Sequence, residues 1–408
     1  MISPLLLRKV ALGLLAPLLA LVMAFSIVAV ILQISGFDAF GVFNRMIEVG
    51  FLDQYLVRSL NKAVPYFFAG CAIAVGFRMA LFNIGVEGQY RIAALIAAWA
   101  GAKVTLPAGL HIVFIVIVAM IVGSAAAAIP AVLKVTRNVN EVVSTIMLNF
   151  ILGGVGTWLL TEFLRNKATT GNNTETEEIA ASGHMPSASG ALNALGFQVP
   201  KNETLTGFLF VAIALGIVLH ILINKTRFGF DLRASGLNPF AATVSGVGAK
   251  GMVIKAMLLS GALAALVGMP ELLSDKYKFV SDTFPQQLGF TGIAVALLGR
   301  NTPLGIGLGA VLFGFLETTT GALQFSPNAA LKIPNEMALV MQGAILLSVV
   351  IAYELVRRFE LLMEGKAVAK AAEKLAEEAG EGGGALVGAP EPEPPATDGP
   401  RDETGDQR

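Results

Sequence analysis

Apolar stretches long enough to cross a bilayer recur along most of this chain, and that recurrence leaves few folds open. A helix that crosses a hydrocarbon core ~30 Å thick needs about 20 predominantly apolar residues. Candidate segments are 10–34, 64–77, 90–102, 110–133, 142–163, 206–223, 252–273, 288–298, 304–323 and 337–353. Backbone inside hydrocarbon must satisfy its own N–H and C=O groups, so such segments fold as helices. Composition agrees: of 408 residues, 55% are hydrophobic and 14% charged, with a mean hydropathy of +0.70, outside the range of water-soluble domains. The expectation is an all-α, polytopic integral membrane protein of about ten transmembrane helices, the shorter ones broken or re-entrant. The first segment follows Arg8 and Lys9. It exceeds the roughly 7–15 residues of a secretory h-region and reads as a retained span.

Charge sets the orientation. The formal net charge is zero, but from Lys366 onward ten residues are acidic and five basic, so the preceding body is mildly basic. With the N-terminus in the cytoplasm, ten crossings leave Lys134, Arg137, the 225–250 loop, Arg300, Arg357 and Arg358 inside, as the positive-inside rule asks. The polar loop 164–205 then falls outside, and both termini are cytoplasmic. The expected organisation is a transmembrane domain over 1–356, followed over 357–408 by a charged cytoplasmic helix and a Gly/Pro/acidic tail too poor in apolar surface to order itself.

Three polar stretches interrupt the apolar pattern. "LFNIGVEGQYRIAALIAA", residues 81–98, places Asn83, Glu87, Gln89 and Arg91 among apolar residues, with Gly85 and Gly88 permitting a break in the helix. Broken backbone at membrane depth is tolerated where it lines a cavity or is buried in protein. Asn83, Glu87 and Gln89 carry groups suited to hydroxyl-rich or amide-bearing solutes, with Arg78 and Arg91 as the charge partners on offer to Glu87. A short turn at the water boundary accounts for the same residues, and both readings stand. In "NVNEVVSTIMLNFILGG", residues 138–154, Asn140 is placed to cap a helix and Glu141 to face its positive end. Asn149 lies deeper, as interhelical glue or as a lining residue. Glu317, in "LFGFLETTTGAL", sits toward the outer end of its span.

The third stretch, "TRFGFDLRASGLNPFAATVSGVGAKG", residues 226–251, is cytoplasmic by the charge count. Asn238 then Pro239 reads as an N-cap and first-turn proline, and Gly246 as the C′ stop. The result is a helix of under two turns with Phe240 and Val244 on one face. Elsewhere, "NIGVEGQYRIAALIAAWAG" and "QQLGFTGIAVALLGRNTPLG" both set a glycine pair before an apolar run, and the spans preceding them cross in opposite directions, the pattern of an inverted repeat.

Enzyme chemistry lacks visible tools. The chain has no G-x-x-x-x-G-K-[ST], H-E-x-x-H or G-x-S-x-G motif, and His111, His184 and His220 are scattered, which disfavours a metal site. The single cysteine, Cys71, lies in an apolar run as a packing residue.

"FNIGVEGQ", "NEVVSTIMLNFI", "RASGLNPFAATVSGV" with "LSGALAALVG", and "GFTGIAVALLGRNTPLGIGLGAVLFG" together resemble the permease subunit of bacterial ABC importers for nucleosides and simple sugars, within the wider ribose and branched-chain amino-acid permease group. The resemblance covers roughly residues 60–355 and leaves out the tail after Lys366. It implies a multi-pass protein of the bacterial inner membrane that is not itself an enzyme and binds no cofactor or metal. ATP and Mg belong to a separate ABC ATP-binding protein. The other implied partners are a second, different permease and an extracytoplasmic solute-binding protein; nucleic acid is not among them. By the same resemblance Arg233, Gly236, Asn238, Pro239, Ala241, Ala242 and Gly246 belong to the segment that couples to the ATPase, and Asn83, Glu87, Gln89 and Asn149 to the translocation route. The alternative is an ion-coupled secondary transporter of a small polar solute, with Glu87 and Glu317 as protonation sites.

Overall fold

The computed structural model describes residues 4–168, 174–194, 196 and 198–381. Contacts divide the chain into two units, Met1–Ala352 and Tyr353–Arg408. The described residues contain no strand, only two isolated bridges, Glu175 with Val280 and Ser187 with Thr206. The chain opens with α1 (Pro4–Ile34), α2 (Ala39–Gly50), α3 (Asp53–Phe77), α4 (Val86–Lys103), α5 (Leu110–Arg137) and α6 (Glu141–Leu159). A short α7 (Ser189–Ala194) precedes α8 (Phe208–Lys225), α9 (Arg227–Leu237), α10 (Pro239–Val244) and α11 (Ala249–Ala265). A one-turn α12 (Met269–Glu271) leads to α13 (Leu288–Leu298), α14 (Pro303–Leu323) and α15 (Met337–Glu381).

Each of the ten expected segments coincides with a helix. Seven helices among the described residues are long and apolar enough to cross a membrane, or eight if the bent pair Leu19–Ile34 and Ala39–Gly50 counts as one. The two remaining segments, α4 and α13, differ for separate reasons. α4 carries Glu87, Arg91 and Lys103, while α13, at 11 residues, spans only about 16 Å. α13 is thus a partial helix, whereas α4, at 18 residues, is set apart by its charges and not its length; both pack against the bundle.

The long helices alternate in direction. Lys62, early in α3, pairs with Glu317, late in α14, at 2.9 Å, and Arg78, just past α3, donates to the carbonyl of Asn301, just before α14, at 2.9 Å. α3 and α14 are therefore antiparallel. So are α5 and α11: the Ser124 hydroxyl donates to the Leu258 carbonyl at 3.0 Å, and Ala131, late in α5, clusters with Met252 and Ala256, early in α11. Gly123 and Gly261 make that approach possible, since a Cβ on either would strike the other's carbonyl oxygen. Between helices in a bilayer there is no water to expel, so close packing of small residues carries much of the association.

α3 and α11 also oppose one another. The Ser260 hydroxyl donates to the Ala72 carbonyl at 2.6 Å, and Met79 joins Met252 at one end. At the other end the Thr206 amide donates to Asn61 and its hydroxyl lies 2.9 Å from that of Ser274. The run α3–α4–α5 and the run α11–α13–α14 thus have opposite sense, and they exchange partners: α3 packs on α13 and α14, α11 on α4 and α5. The two glycine-pair segments noted in the sequence are the starts of α4 and α13. Two ends of the bundle result, one marked by Arg78, Arg233 and Lys134, the other by Lys62, Glu203 and Glu177.

At the Lys62 end the polar connection between α6 and α8 is folded onto the bundle. Thr176 N donates to Phe279 O at 3.0 Å, Ile179 N to Tyr277 O at 2.8 Å and Met185 N to Leu273 O at 2.7 Å. The His184 ring stacks on Tyr277 with centroids 3.6 Å apart, and buried His111 sits between the Ser182 hydroxyl and the Gly101 carbonyl. These two histidines therefore serve packing. In the second unit Glu354 pairs with Arg357 at 3.0 Å and Arg358 at 2.9 Å along one helical face. The Gly/Pro/acidic tail over 382–408 lies outside the described residues.

Candidate functional site

The break between α3 and α4 is built from the polar residues of the 81–98 stretch. Asn83 is buried and saturated: its Nδ2 donates to Gln89 Oε1 at 3.0 Å and to Ser260 Oγ at 2.9 Å, while its Oδ1 accepts from Gln89 Nε2 at 3.0 Å and from Gly85 N at 3.1 Å. The two amides form a reciprocal pair, and through Ser260 they reach the Ala72 carbonyl of α3. Asn149 of α6 closes the break from the other side, with Nδ2 donating to Ile84 O and Oδ1 accepting from Gly88 N, both at 2.9 Å. One of the free amides in the first turn of α4 is thus capped by a side chain from another helix.

Glu87 performs the same service for α13. That helix starts at Gln287, in the left-handed region with φ 64° and no side-chain cap of its own. Glu87 Oε1 accepts from Gln287 N at 2.9 Å and Oε2 from Gly289 N at 3.0 Å. The Tyr90 hydroxyl lies 2.8 Å from both Glu87 Oε1 and the Pro285 carbonyl, and donates to one of them. A Cβ on Gly289 would sit 2.6 Å from Glu87 N, so the two chains meet backbone to backbone. One carboxylate therefore lies at the positive ends of two helices that leave in opposite directions. Glu87 is met by backbone amides rather than by the cations expected from the sequence; Arg78 turns instead to Asn301.

All four proposed route residues thus converge on 83–89 and 149. Three of them turn their amides into the protein, where they hold the shape of the break. Ser260 and Tyr90 complete the cluster and were not singled out from sequence. Ser260, a lone hydroxyl beside Gly261 in an apolar run, carried the same signal as Asn149.

The segment between α8 and α11 forms at the Arg78 end. Asn238 Oδ1 accepts from Ala241 N at 3.0 Å with Pro239 at the first helical position. At the far end Gly246, φ +84°, donates to Thr243 O at 3.0 Å and Val247 to Ala242 O at 2.9 Å, a Schellman stop. Ala242 is buried and Ala241 exposed, while Leu237, Phe240 and Val244 are 88%, 80% and 75% exposed. A helix this short survives because both ends are closed and one residue anchors it. Beside it a cleft of about 380 Å³ is lined by Arg227, Asp231, Ser245, Gly246 and Lys255.

α9 joins this segment to the break. Gly236 lies against the backbone of Arg78 and Met79, where a Cβ would be 2.6 Å from the Arg78 carbonyl oxygen. Arg233 donates to the Ile223 carbonyl and so caps the end of α8. Arg78 lies beyond the end of its span; burial, then the neighbouring Arg233 charge, hold its guanidinium below the ordinary arginine range. Contacts thus run from α10 through α9 to Arg78, and from Arg78 to the turn before α14.

Over residues 55–350 the chain matches the family described as "Branched-chain amino acid transport system / permease component". It is 32% identical to the guanosine ABC transporter permease protein NupP of Bacillus subtilis, over 83% of this chain and 94% of that protein. It is 30% identical to the nucleoside ABC transporter permease protein NupB of Lactococcus lactis, over 83% and 91% of the two chains. Identity to the glucose ABC transporter permease protein TsgB13 of Haloferax volcanii is 29%, over 78% and 81%. No solved structure matches.

Proposed function

The chain belongs to the branched-chain amino acid transport system / permease component family, and from that premise we propose that it is the subunit through which nucleosides enter a cell at the expense of ATP hydrolysed on another chain. It is a multi-pass membrane transport subunit rather than an enzyme. The choice of nucleosides over sugars follows the relatives NupP and NupB, with the glucose permease TsgB13 as the competing precedent.

The observation that carries the reading is the capped helix α10 with its bare apolar face. Among the described residues no surface covers Phe240 and Val244, and an ATP-binding protein supplies one. The Arg78 end, with Arg78, Lys134, Arg137, Arg233 and Arg300, is then the cytoplasmic one by the positive-inside rule. Arg233, Gly236, Asn238, Pro239, Ala241, Ala242 and Gly246 shape and anchor the coupling segment. A push on α10 passes through Gly236 to Arg78 and Met79, and from there to the α3–α4 break and the start of α14. Asn83, Glu87, Gln89 and Asn149 form the wall of the route, holding α4 and α13, whose N-termini shift together. A second permease of different sequence completes the route, and an extracytoplasmic solute-binding protein delivers the solute at the Lys62 end. ATP and Mg are held by the ATPase; this chain binds no cofactor.

The test is uptake of labelled nucleoside by cells carrying Asn238→Ala or Gly246→Asp, with co-purification of the ATPase scored in parallel. Both variants are expected to lower uptake and weaken association. Normal uptake with normal association overturns the coupling assignment. Nucleoside accumulation by the purified chain alone in liposomes with a proton gradient would instead establish ion-coupled transport.

A further inference from the structure

Helix α2 carries three sectors where an ordinary surface helix carries two. Ala39, Val42, Met46 and Val49 are buried against the bundle. At about 100° per residue, Phe40 and Ile47 fall together on a neighbouring sector and are 84% and 54% exposed; Phe51, the cap residue just past the helix, is 67% exposed with its ring 6.0 Å from that of Phe315. Asn44, Arg45 and Glu48 follow on the far side and are paired among themselves, Asn44 Nδ2 to Glu48 Oε1 at 2.9 Å and Arg45 to Glu48 at 3.0 Å. The order around the helix is core, bare apolar, polar. A helix lying in water would pass from core to polar directly.

The direction of α2 excludes a second crossing. Its axis is bent 117° from that of α1, which turns it past the perpendicular and back toward the hydrocarbon. At 12 residues it reaches only about 18 Å, too short to traverse the membrane. Asp38 caps its start by accepting from Gly41 N at 3.1 Å, and Asp38 N donates to Ala330 O at 3.2 Å, which fixes it at the Lys62 end.

The bare sector also continues an exposed apolar surface on α1. On α1, Leu21, Val22, Phe25, Val30 and Ile34 are exposed, and the Phe25 and Phe43 rings meet edge to face at 5.1 Å where the two helices join. We propose that α2 is an interfacial anchor, seated in the leaflet at the Lys62 end with Phe40, Ile47 and Phe51 among the acyl chains and Asn44, Arg45 and Glu48 toward the headgroups and water. The occupant of the bare face is phospholipid, not a protein partner.

The full chain with Trp99 and Trp158 replaced by Phe gives a background in which single tryptophans report position. Phe40→Trp, Ile47→Trp and, on the polar sector, Arg45→Trp would be reconstituted in vesicles of phosphatidylcholine brominated near the ester end or near the chain terminus. The first two are expected to be quenched at least twofold more than Arg45→Trp, and more by the shallow bromines than by the deep ones. The same quenching is expected after co-reconstitution with a second permease and with a solute-binding protein. Quenching equal to that of Arg45→Trp, with free access to acrylamide, overturns the anchor in favour of a water-facing helix. Quenching lost when either protein is added overturns it in favour of a protein interface. Two independent apolar positions guard against a single variant that does not fold.

Discussion

Glu87 Oε2 accepts a hydrogen bond from Gly289 N at 3.0 Å, joining the starts of α4 and α13, which belong to opposite halves of the bundle. The pair is specific in chemistry and in size: the carboxylate offers a separate oxygen to Gln287 N and to Gly289 N, and only glycine lets the backbones come so close.

Replacing Glu87 tests that joint. Glu87→Ala leaves the buried Gly289 amide without its acceptor, at about 1–3 kcal/mol, and removes the bond to the exposed Gln287 amide as well. The purified variant should unfold at a clearly lower temperature and support little uptake. Glu87→Gln keeps one acceptor and loses the charge, so it should fall between the two. Thermal unfolding in detergent and an uptake assay read both effects, and a Glu87→Ala protein as stable as the parent sinks the joint.

The Asn83 and Gln89 amides predict non-additivity. Removing either leaves the other's donors and acceptors unmet in a buried place, costing about 1–3 kcal/mol, whereas replacing both by apolar groups of similar shape can be nearly neutral. Asn83→Leu and Gln89→Leu should therefore each destabilise more than the double variant does per site, with a coupling energy above about 0.5 kcal/mol in a double-mutant cycle. Additive effects would mean the pair is not a unit.

The sequence made the helices legible because hydrocarbon permits little else, and it made α10 legible because Asn238, Pro239 and Gly246 act through their own neighbours. It was weaker where partners lie far along the chain. Arg78 and Arg91 looked like partners for Glu87, but the amides that meet it belong to residues 200 positions away, and amides leave no trace in a side-chain pattern. Asn149 looked like either glue or lining, and its bonds to Ile84 O and Gly88 N depend on a packing between α4 and α6 that no local spacing encodes. The apolar and polar sectors of α2 were present in the residues, but Asn44, Arg45 and Glu48 interrupt the continuous apolar run by which spans are sought.

Gly236→Ala separates transmission from docking. The added methyl would stand 2.6 Å from the Arg78 carbonyl oxygen and 2.7 Å from Met79 Cα, so α9 must move away from the end of α3. Helix propensity favours the alanine by about 1 kcal/mol, and the chain should still fold. Nucleoside uptake should fall severalfold while the ATPase still co-purifies. Unchanged uptake would show that the contact between α9 and Arg78 transmits nothing.

Phe240 and Val244 supply the converse case. Their 80% and 75% exposure means that they contribute little to the fold of this chain, so Phe240→Ala and Val244→Ala should leave thermal unfolding within about 0.5 kcal/mol of the parent. Against a partner the same side chains become buried, at about 1.5–3 kcal/mol each. Since about 1.4 kcal/mol is a factor of ten in an equilibrium constant, Phe240→Ala alone should weaken ATPase binding by roughly 10- to 100-fold. Titrating the purified ATPase onto reconstituted permease measures that ratio directly. A variant that binds as tightly as the parent would remove α10 from the interface and leave its exposed apolar face without a function.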